Sequence, residues 1–307
     1  MKTHRLKYNL LLLLAAAIWG FAFVAQRIGA QHVGTFTFNG IRFGLGSLSL
    51  LPLLLFLGNK PKTAATIDSS TKRALPAGML TGCVIFLGAT LQQIGLVDTS
   101  AGKAAFITGL YIVLVPILGI LLKHRIHANT WFGVAVAAIG LYFLCVTESF
   151  TIARGDLFEL AGALFWTVHI LLIDHFTKKV DALKLSFFQF VTCSLLSLAA
   201  ALLFEDISLY NIEQAVIPLL YGGICSVGIA YTLQVIGQKH AQPSHAAIIL
   251  SMESVFASVG GWLILKEDLG VRGYLGCLLM LFGMLLSQLQ EFGKSKAPAS
   301  VKDLPVK

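Results

Sequence analysis

The chain has 307 residues, 56% of them apolar and 12% charged, with a mean hydropathy of +0.80. A soluble domain carries about 25% charged residues, so most of this surface does not face water. Its 23 Lys and Arg against 15 Asp and Glu give a net charge of +8, but the charges sit in short loops and tails beside apolar runs. That pattern sets membrane orientation and argues against nucleic acid as the partner.

The N-terminus, MKTHRLKYN before an apolar run, imitates a signal peptide. The run continues to about Gln26 with no small-residue cleavage site, so it reads as a first membrane span. A span needs roughly 20 apolar residues, and ten segments qualify: about 9–29, 34–57, 74–94, 101–122, 130–147, 156–176, 183–204, 214–236, 244–264 and 271–290. Backbone groups in lipid must bond internally, so the segments are predicted helices. A barrel would alternate apolar and polar residues in short runs, which this chain does not do. The loop Gly58–Arg73 and the tail after Glu291 are polar, with too few apolar residues to pack. Cys83, Cys145, Cys193, Cys225 and Cys277 lie singly in apolar runs with no C-x-x-C, which argues against disulfides and metal sites. No cofactor is expected.

With the N-terminus inside, the inner loops and tails collect 17 Lys and Arg, the outer ones five: Arg27, Lys103, Arg154, Lys266 and Arg272. That asymmetry places both termini in the cytoplasm, with the chain crossing the cytoplasmic membrane many times.

Thr90–Ile107, TLQQIGLVDTSAGKAAFI, recurs as Thr232–Ile249, TLQVIGQKHAQPSHAAII, with eight identical positions 142 residues apart. Gly133 and Gly140 recur as Gly276 and Gly283, and Trp19 is echoed by Trp166. The chain therefore reads as one unit copied, residues 1–150 and 151–290, followed by a cytoplasmic tail over 291–307. Five helices per unit is an odd number, so the second copy enters the membrane upside down. The predicted fold is all-α, ten transmembrane helices in two inverted five-helix repeats, with a site near the midplane between them. Gly40 and Gly44, and Gly78 and Gly82, are small residues at four-residue spacing that permit close helix contact. Pro116 lacks an N–H and must bend or loosen the fourth helix.

The residues AAAIWGFAFVAQRIG (15–29), IRFG (41–44), TSAGKAAFITGLYIVLVPILGILL (99–122), GDLFELAGALFW (155–166) and ESVFASVGGWLILKEDL (253–269), in that order, resemble the ten-helix EamA-type branch of the drug/metabolite transporter superfamily. The resemblance covers about residues 8–290. It implies secondary transport of small organic solutes, often amino acids or related metabolites and frequently outward. Two departures stand out: Ser254 where the family usually has proline, and His124–Arg125 where it usually has Gly-Glu.

Charged groups inside a bilayer cost a few kcal/mol, which singles out Arg42 and Glu253. Arg42 lies roughly 12 Å deep in the second segment and Glu253 roughly 13 Å deep in the ninth, at 1.5 Å per residue. At one depth they either pair with each other or line a cavity, Arg42 for a substrate carboxylate and Glu253 for an amine or a proton. A proton-carrying Glu253 requires the two to separate during the cycle. Lys103, at the outer start of the fourth segment, either reaches lipid headgroups or meets anions at the mouth. Trp19, Tyr111 and Trp166 fall near mid-depth, where they wall a pocket or simply pack. Gln92, Asn39, Gln189 and Gln234 are candidate hydrogen-bond partners. His169 reads as an interior histidine.

The sequence supports a secondary transporter of a small organic molecule, with a proton as candidate coupling ion. A facilitator of the same fold is the alternative. An intramembrane enzyme finds little support, since H-E-x-x-H, G-x-S-x-G and paired intramembrane aspartates are all absent.

Overall fold

A computed structural model describes residues 2–57, 71–122, 128–145, 154–267 and 270–293. The polar loop over 58–70, His124 and Arg125, the repeat boundary over 148–153 and the tail beyond 293 lie outside the described residues. Among the described residues the chain is helical, with no strand. Helices α1 (Lys2–Gly29), α2 (Thr35–Leu57) and α3 (Thr71–Asp98) are followed by a broken pair, α4 (Ala101–Gly109) and α5 (Tyr111–Leu121), and by α6 (Ala128–Cys145). Then come α7 (Arg154–Thr177) and α8 (Ala182–Phe204). A composite run follows: α9 (Leu209–Gln214), α10 (Val216–Leu220), a π-helical stretch Tyr221–Tyr231, and α11 (Thr232–Gln238). A second broken pair, α12 (Pro243–Leu250) and α13 (Glu253–Gly260), leads through a π turn, Gly261–Leu265, to α14 (Gly270–Gly293).

Eight of these runs are long and apolar enough to cross a membrane, while Thr130–Phe143 and Gly270–Leu286 are apolar but shorter. The outward faces carry the residues a soluble protein hides: Leu55, Phe56, Leu121, Phe132, Leu202, Ile217 and Leu278 are all largely exposed. Such a continuous apolar exterior has lipid as its solvent. The chain is a multi-pass membrane protein.

Lipid supplies no hydrophobic drive between helices, so close backbone approach does the joining. Leu198 packs on Gly40, Ser194 donates a hydrogen bond to the Gly40 carbonyl (2.8 Å), and Phe188 and Thr192 fill the space at Gly78 and Gly82. Both small-residue pairs thus face α8, which lies between α2 and α3. Helices α6 and α14 join through the duplicated glycines. A Cβ on Gly140 would lie 2.7 Å from the Gly276 oxygen, and one on Gly283 would lie 2.7 Å from the Gly133 oxygen. The same contact is made twice with the roles exchanged. Overpacking such a seam costs about 1–3 kcal/mol. Gly140→Ala is therefore expected to lower the melting temperature of the detergent-solubilised protein by several degrees.

Both broken helices are interrupted at the same register of the duplicated unit. At Leu110 the amide donates to Ile107 O (3.2 Å), and Val113 N–H donates to Leu110 O (3.0 Å), three-residue bonds in place of four. At the second break Met252 N–H donates to Ile249 O (3.2 Å) and Ser254 N–H to Ser251 O (3.1 Å). The Ser251 hydroxyl donates to Ile248 O (2.9 Å), which competes with the backbone ladder. The second break forms without the family's proline: Ser254 instead donates its hydroxyl to Ala105 O (2.7 Å), tying α13 to α4.

Candidate functional site

The two breaks meet at the centre of the molecule. Tyr111 opens α5 and Glu253 opens α13, and the Tyr111 hydroxyl donates to Glu253 Oε1 at 2.9 Å. They are 142 residues apart, so they are the same position of the duplicated unit, facing each other. Both are buried. Gln92 and Gln234, another matched pair, lie on the same cavity wall as Trp19, Arg42, Thr108, Trp166, His169, Ser226 and Tyr231.

Aromatic rings form the rest of the wall. Tyr231, the last residue of the long π stretch, meets Trp19 edge-on (centroids 4.7 Å apart) and also contacts Trp166, His169, Phe43 and Phe190. The Trp19 indole N–H donates to the Ser226 carbonyl (3.2 Å). Glycines let α2 approach this stretch closely: Leu45 packs on Gly223, and the Arg42 stem lies along Gly222.

Arg42 is 2% exposed. Its Nε donates to Asn39 Oδ1 (2.9 Å), and its guanidinium stands 4.9 Å over the Phe43 ring and 5.6 Å over Phe38. Its Nη2 is buried without a hydrogen-bond partner. A buried donor left in that condition costs about 1–3 kcal/mol, more when charged. Arg42 and Glu253 therefore do not form the ion pair that their common depth allowed. The cavity presents a cation held by an amide and two rings, and separately a carboxyl held by a phenol. Its water-accessible volume is about 40 Å³, room for about three waters at roughly 10–15 Å³ each. The chamber is narrow in this conformation.

Of the residues singled out in the sequence, Arg42, Glu253, Trp19, Tyr111, Trp166 and Gln92 all line the cavity. Lys103 does not. Its Nζ lies 2.6 Å from Asp156 Oδ2 at the start of α7, and the Asp156 carboxylate offsets a cation that opposes its own helix dipole. Thr99 donates its hydroxyl to Asp156 Oδ1 (3.0 Å), while Arg27 donates to the Thr99 carbonyl (3.1 Å) and to Glu267 (3.2 Å). One connected cluster thus ties α1, the 98–101 turn, α4, α7 and the segment after α13. Sequence reasoning missed Glu159, Thr108, Ser226 and Tyr231. Glu159 lies only five residues into its helix, close enough to the end to pass as interfacial.

The fold and the cavity define a helical, multi-pass membrane protein with a charged chamber at its centre. The EamA-like transporter family matches residues 6–146 and again residues 153–289. The chain belongs to that family, a branch of the drug/metabolite transporter superfamily, and is a transporter. An uncharacterized transporter of Archaeoglobus fulgidus is 33% identical over 93% of this chain and 87% of its own length. The uncharacterized transporter YoaV of Bacillus subtilis is 25% identical over 88% of this chain and 92% of its own. A crystal structure superposes at a TM-score of 0.75 with 17% identity, covering 95% of this chain and 99% of the other. That last match bears on the fold alone.

Proposed function

We propose that the protein is a proton-coupled secondary transporter that moves an amino acid or a related small metabolite outward across the cytoplasmic membrane. In this reading ten helices cross the membrane as two inverted five-helix repeats, 1–150 and 151–290, with both termini in the cytoplasm. The repeats rock about the Tyr111–Glu253 contact, where equivalent positions of the two units meet. The observation that carries the reading is Arg42: a buried cation with an unpartnered Nη2 in the same chamber as a separate carboxyl. A molecule with a carboxylate and an amine supplies what each lacks, and aromatic walls cover the rest. Broken helices at mid-depth are a common means of building such a chamber.

The cluster of Arg27, Thr99, Lys103, Asp156 and Glu267 joins the first repeat to the second on the side that charge counting makes outer. It serves as the closed outer barrier. With Arg27→Gln and Lys103→Gln combined, a cysteine placed at Gln26 in a cysteine-free background should react several-fold faster with an impermeant thiol reagent added outside. Unchanged reactivity would remove the barrier from the account.

The test of function is flux. Amino acids, nucleobases and organic acids are presented to proteoliposomes at imposed pH gradients, from either side. Uphill movement of a zwitterion supports the reading and reports its direction. Flux that only equilibrates makes the protein a facilitator.

A further inference from the structure

Glu159 is a second acid deep in the protein, apart from the cavity carboxyl. It is 0% exposed, about 7 Å inside the start of α7 at 1.5 Å per residue. Its Oε2 accepts the Thr108 hydroxyl (3.1 Å), and Thr108 in turn accepts from Gln92 Nε2 (3.3 Å). Thr108 and Gln92 line the cavity, so one hydroxyl separates Glu159 from the chamber. Its Oε1 is buried with no partner.

Packing does not require an acid here. Glu159 fills the space over Gly95, which matches Gly237 in the duplicated unit; over Gly237 the same space is filled by Leu12. Leu12 and Glu159 are related by the same offset as Trp19 and Trp166. One copy of the unit places a buried leucine against its glycine, and the other places a carboxyl.

The groups facing Glu159 leave its charge uncompensated. Asp156 lies one turn away on α7, with Lys103 of α4 committed to it. The other charge that bears on it is the acidic Glu253, itself bonded to Tyr111, while Gln92 of α3 donates to the Thr108 hydroxyl. No Lys, Arg or His lies within ion-pair distance among the described residues. An unpaired carboxylate in such a place is costly. A metal cation would need several oxygens, and Oε1 lies so close over Gly95 that even an added Cβ would stand only 2.8 Å from it. Only a proton fits.

We infer that Glu159 is a proton-binding site, which takes a proton on Oε1 from the outer side and communicates with the chamber through Thr108. The inference rests on the transport reading only for its role in coupling, since binding can be tested without substrate. The full chain in lipid is titrated from acid to alkaline pH and followed by infrared difference spectroscopy of the protonated-carboxyl C=O band. In a Glu253→Gln background one buried carboxyl should still titrate, and adding Glu159→Gln should abolish it. Glu159→Leu, which copies Leu12, should fold with a melting temperature at or above that of the unmodified chain. In the flux assay this variant should lose accumulation driven by the pH gradient. A band that survives Glu159→Gln, never titrates, or responds to sodium at constant pH would overturn the inference. If the unmodified protein moves nothing in the panel, the transport reading fails, and the infrared titration alone decides Glu159.

Discussion

Glu253→Gln should abolish gradient-driven accumulation while leaving the protein folded. Glutamine keeps the shape of the side chain, and its carbonyl oxygen can accept the Tyr111 hydroxyl that Glu253 Oε1 accepts at 2.9 Å. It can neither ionise nor carry a proton. A pH difference of one unit is worth about 1.4 kcal/mol per proton, or about tenfold accumulation of a solute coupled to one. The expected accumulation ratio in proteoliposomes is therefore about tenfold for the unmodified protein and close to unity for the variant, independent of the imposed gradient. Tyr111→Phe gives the companion result. It removes the phenol from Glu253 without touching the carboxyl, so coupling persists but its pH profile shifts. A Glu253→Gln protein that still concentrates substrate would move the coupling site elsewhere, and Glu159 would be the next carboxyl to test.

Much of this was written in local sequence. Apolar runs of about 20 residues read as membrane helices, and the duplication, in the TLQ…IG…AA block and the later glycines, makes Gln92 and Gln234, and Gly140 and Gly283, equivalent positions. Arg42 and Glu253 stood out because charge is expensive in lipid. What stayed hidden depends on pairing across distance. The Asp156 that takes Lys103 lies 53 residues away, and a lysine at a helix start looks the same with or without it. Pro116 pointed to a weakened fourth helix, yet the break falls at Leu110, almost two turns earlier. There the ladder shortens to three-residue bonds, which no residue type announces. The same holds for Tyr231. It reads as one more aromatic residue in a glycine-rich run, until the π stretch turns it toward two tryptophans.

Arg42→Ala should separate recognition from coupling. The guanidinium has one nitrogen committed to Asn39 and another, Nη2, left over. A substrate carboxylate is the partner it lacks, through short charge-assisted bonds. Losing such a bond costs about 2–3 kcal/mol, which is roughly 30- to 140-fold in affinity. Carboxylate-bearing substrates should therefore lose about that much apparent affinity, while amines without a carboxylate lose little. Arg42→Lys should not rescue fully, because an ammonium cannot present the flat fork that stacks over Phe43 at 4.9 Å and reaches Asn39. Stability should move the other way. An unpaired buried cation is a liability, and replacing it with an apolar side chain of similar length is neutral or stabilising, so Arg42→Met should melt no lower than the unmodified protein. If Arg42→Met instead unfolds the protein, the guanidinium is holding α2 together and the anion site must be sought elsewhere. A stable Arg42→Met protein with unchanged affinity for carboxylates would be equally decisive against it.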